Sequence, residues 1–166
     1  MELEHYIEQY GDYLYRIAFI YMKDQQTAEE VVQDVFMKLY ETQQFQEKSS
    51  MKTYLTRITI NTCHDYLRKW KARKNQLLDY VLKRERAAEQ VVIALSERDE
   101  IVESILKLPL KYREVILLYY YDDLTTVEVA QLLKIPESTV ATRLQRGRQK
   151  LKELLPSIEW EVLKHE

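Results

Sequence analysis

Between Thr125 and Leu155 the chain reads TTVEVAQLLKIPESTVATRLQRGRQKLKELL, two runs of apolar positions at helical spacing parted by a short turn. Val129, Leu132 and Leu133 form the apolar side of the first run, Ile135 plugs the turn, and Pro136 stands where a helix can begin again. Ala130 and Val140 are small enough for two helices to cross closely. The second run gathers Val140, Leu144, Gly147, Leu151 and Leu154 on one side. Opposite them stand Thr142, Gln145, Arg146 and Gln149, whose hydroxyl, amide and guanidinium groups are of the kinds that pair with base edges in the major groove. Arg143, Arg148, Lys150 and Lys152 flank that face for phosphates. The pattern predicts a helix-turn-helix with a basic outer face; the competing reading is an amphipathic helix whose polar side is merely solvated. Lys134 sits at a turn position that often holds Gly in a left-handed conformation, at a cost of about 1 kcal/mol for a Lys.

Upstream, the same periodicity predicts a helix over about Glu2 to Met22 and another over about Thr27 to Thr42. The second buries Ala28, Val31, Val32, Val35, Phe36 and Leu39 and turns Glu29, Glu30, Gln33, Asp34, Met37 and Lys38 outward. Ser49 or Ser50 can cap a third helix that reaches about Lys74. On it Met51, Leu55, Ile58, Thr62 and Tyr66 share one side, while Arg57, Asn61, His64 and Arg68 make a polar stripe suited to a groove or an unpaired strand, or to solvent alone. Tyr54, Tyr66 and Trp70 lie among the cations and can stack bases, with core packing the competing role for Tyr66 and Trp70. Beyond Lys74 the chain is charged and ambiguous in period as far as Glu100, although VVIALSERDEIV is compatible with helix. The pattern resumes with a helix from Ile101 to Lys107, a break at Leu108-Pro109 and a helix to about Tyr121. The expectation is an all-α protein of two small helical domains, residues 1–75 and 101–156, joined by a linker over 76–100 and followed by a tail over 157–166.

Composition sharpens this picture at four points. Two Gly and three Pro in 166 residues leave little turn chemistry for sheets. The net charge of -2 conceals an alternation: residues 1–50 hold ten acids against four bases, residues 51–74 seven bases against one acid, and residues 137–155 five bases against two acids. Two basic segments within a mildly acidic chain suggest two nucleic-acid contacts, with acidic surface left for other partners. The acidic start is no ordinary secretory signal, and the longest apolar run, VILLYYY from Val115 to Tyr121, is far short of the roughly 20 residues that span a bilayer, so a soluble cytoplasmic protein without membrane insertion is expected. Cys63 is alone and is expected as a buried thiol; His5, His64 and His165 are isolated, and there is no phosphate-binding glycine loop or HExxH motif. No catalytic residues, metal or cofactor are therefore expected.

Taken together, TAEEVVQDVFMKLY, SSMKTYLTRITINTCHDYLRKWKAR and ILKLPLKYREVILLYYYDDLTTVEVAQLLKIPESTVATRLQRGRQKLKELL resemble a bacterial RNA polymerase sigma factor of the extracytoplasmic function group, in the sigma-70 family. The resemblance implies an alternative sigma factor, not an enzyme, that binds core RNA polymerase and directs it to a class of promoters. Glu30, Gln33, Asp34 and Met37 match the surface that docks the polymerase's largest subunit. Asn61, Asp65 and Arg68 match the third-helix pattern that lies against the element near minus ten, where Arg57, His64, Lys69 and Lys71 add to the interface. Phe45 to Ser50 match the loop that captures a flipped base from locally melted promoter DNA. Ala141, Thr142, Arg143, Gln145, Arg146 and Arg148 match positions against the double-stranded element near minus thirty-five. Ala141 departs from the Lys or Arg common there, and Tyr54 stands where relatives often have Trp. Control by an anti-sigma factor, often membrane-anchored, is a further implication. The alternatives from the residues themselves are a stand-alone helix-turn-helix transcription regulator and a helical adaptor whose basic faces meet acidic protein.

Overall fold

The computed structural model describes residues 2–42, 50–73 and 99–156. Among these residues every regular element is helical, and the chain divides into two compact units, Met1–Val91 and Val92–Glu166. Residues 76–98 of the linker expected over 76–100, residues 45–49 of the loop expected over 45–50 and the tail over 157–166 lie outside the described residues. Asp99 and Glu100, assigned to the linker by the sequence pattern, open the first helix of the second unit.

In the first unit α1 (Leu3–Met22), α2 (Gln25–Thr42) and α3 (Met51–Ala72) pack against one another. α1 ends at Lys23, whose left-handed backbone (φ 57°) lets its N–H bond back to the Phe19 carbonyl at 2.8 Å. Asp24 then caps α2, its carboxylate accepting from the Thr27 N–H at 2.9 Å and from the Thr27 hydroxyl. The helix therefore starts two residues before Thr27, the start expected from periodicity. Leu14, Ile17, Ala18 and Met22 of α1 meet Val31, Val35 and Leu39 of α2 and Leu55, Ile60 and Cys63 of α3 in a core closed to solvent. Val32, expected in that core, is only half-buried, because with three helices the covered stripe of α2 is narrower than its apolar stripe.

α3 begins at Ser50, whose hydroxyl accepts from the Thr53 N–H at 3.1 Å. Its buried side is Leu55, Thr56, Thr59, Ile60, Thr62 and Cys63, while Met51, Ile58 and Tyr66 of the expected apolar face are half-buried. Three threonines can be buried there because each hydroxyl donates to a carbonyl one turn back, Thr56 to Lys52 at 2.7 Å, Thr59 to Leu55 at 2.8 Å and Thr62 to Ile58 at 2.8 Å.

In the second unit α4 (Asp99–Lys107) stops at Leu108-Pro109, and α5 (Leu110–Ile116) starts at Pro109 and runs into a π-helical turn over Leu117–Tyr121. Arg113 is buried at the break, its Nη1 directed to the carbonyls of Leu106 at 3.4 Å and Leu108 at 3.3 Å, which the end of α4 leaves without helical donors. α6 (Thr126–Leu133) opens on a capping box in which the Thr125 hydroxyl accepts from the Glu128 N–H at 3.1 Å and the Glu128 carboxylate from the Thr125 N–H at 3.2 Å. Lys134 closes α6 in the left-handed region (φ 56°, ψ 46°), as the turn position demands. α7 (Glu137–Leu154) follows from Pro136 and packs on α4, α5 and α6. Val140, Leu144, Gly147 and Leu151 are buried as expected, whereas Leu154 is 45% exposed. At 18 residues α7 outlasts the helices of seven to nine residues that it packs on.

Gly147 sets the crossing of α5 and α7. A Cβ there would lie 3.2 Å from Ile116 Cγ1, 3.4 Å from Ile116 Cδ1 and 3.4 Å from Tyr112 Cβ, so the missing side chain lets the backbone of α7 approach α5 closely.

Candidate nucleic-acid interface

The turn between α6 and α7 is pinned across its mouth by the Thr126 hydroxyl, which donates to Glu137 Oε1 at 2.9 Å. This fixes the exit direction of α7, whose apolar face is already anchored by Val140 and Leu144. Its first three turns consequently project Ala141, Thr142, Gln145 and Arg146 into solvent, with Arg143 half-buried at their edge. Thr142 keeps its hydroxyl on the Ser138 carbonyl at 2.9 Å, which leaves its oxygen free to accept.

Arg148 departs from the expectation of a phosphate contact. Its Nε donates to the Tyr120 hydroxyl at 2.5 Å, and its guanidinium carbon lies 5.5 and 5.4 Å from the centroids of the Tyr119 and Tyr120 rings. The π-helical turn brings those adjacent rings to one cation, and the half-buried Arg148 fastens α7 to that turn instead of extending outward.

α5 adds two residues that the helix-turn-helix pattern alone does not point to. Lys111 and Tyr112 form one wall of a shallow polar concavity whose other wall is Ser138, Thr142, Arg143 and Arg146. Lys111 Nζ lies 5.0 Å from the Tyr112 ring centroid and Lys150 Nζ 5.8 Å. Burial pushes the Tyr112 phenol up, but the neighbouring cations Lys111 and Arg146 outweigh it and hold the phenol below its ordinary value. The sequence signal for this neighbour is Gly147, since a lone Gly inside a helix marks the close approach of another backbone.

On α3 the stripe is shorter than expected. Arg57, Asn61 and Arg68 are exposed, as are Lys69 and Lys71 beyond them, and Arg68 pairs with Asp65 one turn away. His64 is turned inward and its ring meets that of the buried Tyr21 edge to face, with centroids 5.5 Å apart. Tyr66 and Trp70 also meet edge to face, at 6.4 Å.

α2 presents Glu30, Gln33 and Met37 to solvent, Met37 with 59% exposure. Asp34, expected on the same face, is half-buried and accepts a hydrogen bond from the Tyr66 hydroxyl at 2.5 Å. Burial, then that bond and the carboxylate charge, push the Tyr66 phenol well above its ordinary value. Lys38, also expected outward, is exposed along its stem but reaches the Thr62 hydroxyl at 3.0 Å. Beside Gln33 and Met37 runs an apolar groove between α1 and α2, lined by Ile7, Gly11, Val32, Phe36 and Tyr40 among others.

A helix-turn-helix with an exposed polar recognition helix, carried on the same chain as a basic third helix in a separate unit, defines a two-part nucleic-acid-binding protein of the transcription apparatus. Residues 6–74 match the family of sigma-70 region 2, and residues 98–151 match that of sigma-70, region 4. The ECF RNA polymerase sigma factor SigW of Bacillus subtilis (strain 168) is 32% identical over 90% of this chain and 86% of its own length. SigM of the same organism is 29% identical over 93% of this chain and 95% of its own. Among solved structures, sigma factor RpoE bound to the anti-sigma factor NepR from Bartonella quintana shares the fold with a TM-score of 0.71 at 20% identity, covering 94% of this chain and 98% of that one. CnrH in complex with the cytosolic domain of CnrY gives 0.61 at 24% identity, over 95% of this chain and 89% of that one. The chain belongs to the sigma-70 family and, within it, to the extracytoplasmic function group of alternative sigma factors. That family acts in transcription initiation and is not a family of enzymes. No helix among the described residues is long and apolar enough to cross a membrane.

Proposed function

We propose that this protein binds core RNA polymerase in the cytoplasm through the exposed face of α2 and directs it to promoters through α3 and α7. Glu30, Gln33 and Met37, with the apolar groove beside them, form the polymerase-binding surface. Asp34 belongs to it as a residue that braces α2 on α3. Arg57, Asn61, Arg68, Lys69 and Lys71 contact the element near minus ten, and Thr142, Arg143, Gln145 and Arg146 that near minus thirty-five. Relatives solved with anti-sigma factors support control by such a partner, which would cover the same surfaces.

The observation that carries this reading is the occurrence of both sigma-70 regions, in order, together with the exposure of the polar side chains of α7 within the residues that match region 4. Each unit offers few phosphate contacts, so free affinity for DNA is modest and steeply dependent on salt; mounting both on polymerase raises the effective concentration of the second once the first is engaged. Run-off transcription with purified core polymerase and a promoter library, with the protein added or omitted, tests the proposal. Promoter-dependent transcripts that need the protein support it. Tight operator binding by the protein alone, without stimulation of polymerase, contradicts it and favours a stand-alone regulator.

A further inference from the structure

We propose that Arg148, held by the paired tyrosines of the π-helical turn, is a positioning residue that fixes the direction of the recognition helix and so sharpens promoter discrimination. The inference rests on the reading of α7 as the helix facing the element near minus thirty-five.

Two different attractions hold one guanidinium. Its Nε donates to the Tyr120 hydroxyl at 2.5 Å, and its carbon lies 5.5 Å from the centroid of the Tyr119 ring, within reach of a cation–π contact. Tyr120 is 5% exposed and Tyr119 and Arg148 are half-buried, so packing fixes where the hydroxyl and the ring are presented. The two rings meet edge to face at 4.9 Å. On an α-helix successive side chains point about 100° apart; the wider turn over Leu117–Tyr121, with more residues per turn, closes that angle and lets both tyrosines reach one residue of α7.

The place of this contact along α7 gives it a consequence. The Thr126 hydroxyl pins the helix at Glu137, and Arg148 pins it again about 16 Å further along the axis at 1.5 Å per residue. Thr142, Gln145 and Arg146, exposed for base contact, lie between the two pins. The buried Val140, Leu144 and Leu151 hold α7 at its depth, but apolar attraction is non-directional, whereas a hydrogen bond weakens as it bends. Without the second pin, a tilt of about 5° about the first would carry Arg146 by about 1 Å, twice the roughly 0.5 Å within which a preorganised site must be held. To reach a backbone phosphate instead, Arg148 would have to give up both aromatic partners. A Lys at this position keeps the charge but has neither the Nε donor nor the planar group that lies against a ring.

The test uses full-length protein in complex with core polymerase. Competition between a promoter fragment selected by run-off transcription and fragments altered in the upstream element gives a discrimination ratio for wild type, Tyr120→Phe, Arg148→Lys, the double variant and Arg146→Ala. Tyr120→Phe keeps the ring and Arg148→Lys the charge, and thermal unfolding and core-polymerase affinity serve as controls for the fold. The expected result is a loss of discrimination of about three- to tenfold in each single variant at these two positions, and no further loss when they are combined. The salt dependence of promoter binding should be the same in Arg148→Gln as in wild type. Full discrimination by Tyr120→Phe or Arg148→Lys, even beside a lowered Tm, overturns the positioning role and leaves the contact a brace for the fold; independent, multiplying losses also overturn it. A slope of log affinity against log salt shallower by about 0.9 in Arg148→Gln, with all fragments weakened alike, assigns Arg148 to a phosphate and overturns it as well. Full discrimination by Arg146→Ala overturns both this inference and the reading of α7 on which it rests.

Discussion

Replacing Gly147 by Val tests the packing that aims the recognition helix. The wild-type crossing leaves 3.2 Å between a Cβ at this site and Ile116 Cγ1, and 3.4 Å to Tyr112 Cβ. Ile116 is 1% exposed and Tyr112 7%, so neither can swing away into water. An Ala methyl alone requires a shift of a few tenths of an ångström, at a cost comparable to the roughly 1 kcal/mol by which Ala exceeds Gly in helix propensity, and Gly147→Ala is expected within about 0.5 kcal/mol of wild type. Val gains less from propensity and forces two γ carbons into the same seam, where overpacking costs about 1 to 3 kcal/mol. The net expectation is a destabilisation of about 1.5 kcal/mol, a roughly tenfold faster exchange of the slowest amides in α5 and α7. Hydrogen exchange read by mass spectrometry resolves this by peptide, with α1 to α3 as an internal reference. Wild-type protection of α5 and α7 in Gly147→Val would refute the claim that close approach at this glycine sets the crossing.

Lys134→Gly relieves a left-handed backbone at the end of α6, and a gain of about 1 kcal/mol in the stability of the second unit is expected in urea unfolding; an unchanged or lower midpoint argues against strain there. Cys63 is closed to solvent and burial alone pushes its thiol well above the ordinary range, so native protein at pH 8 should alkylate far more slowly than unfolded protein, and equal rates would contradict its burial. The Tyr66 phenol titrates higher in the folded than in the unfolded chain, so its contribution to stability is complete below about pH 10 and fades as pH rises through the folded value. Wild type should therefore lose stability above pH 10 more steeply than Tyr66→Phe, and parallel pH profiles would argue against the bond to Asp34.

Much of the fold was legible because helix boundaries are local. Ser50 as a cap, the break at Leu108-Pro109 and the left-handed Lys134 follow from single residues and their immediate neighbours. The start of α2 was misplaced by periodicity, although Asp24 was available as a cap. Placement of the site residues was legible only where a side chain finds no distant partner. Thr142, Gln145 and Arg146 are exposed as their angular positions require. His64, Asp34 and Arg148 leave the faces expected of them for Tyr21, Tyr66 and Tyr120, partners at least 28 residues away that periodicity within one helix does not register. Val32 shows the same limit in the apolar direction, since an apolar stripe tells which side can be buried but not how much of it a three-helix unit covers.

The account depends most on the separation of polymerase binding by α2 from promoter reading by α7, and association with core polymerase without DNA tests it directly. At physiological ionic strength and with no inhibitor present, wild type and Arg146→Ala should bind core equally, while Met37→Ala combined with Gln33→Ala should bind at least tenfold more weakly, the loss of about 1.4 kcal/mol or more that truncating an interface centre brings. Failure of the wild-type protein to bind core, or equal weakening by the α7 variant, would contradict the account.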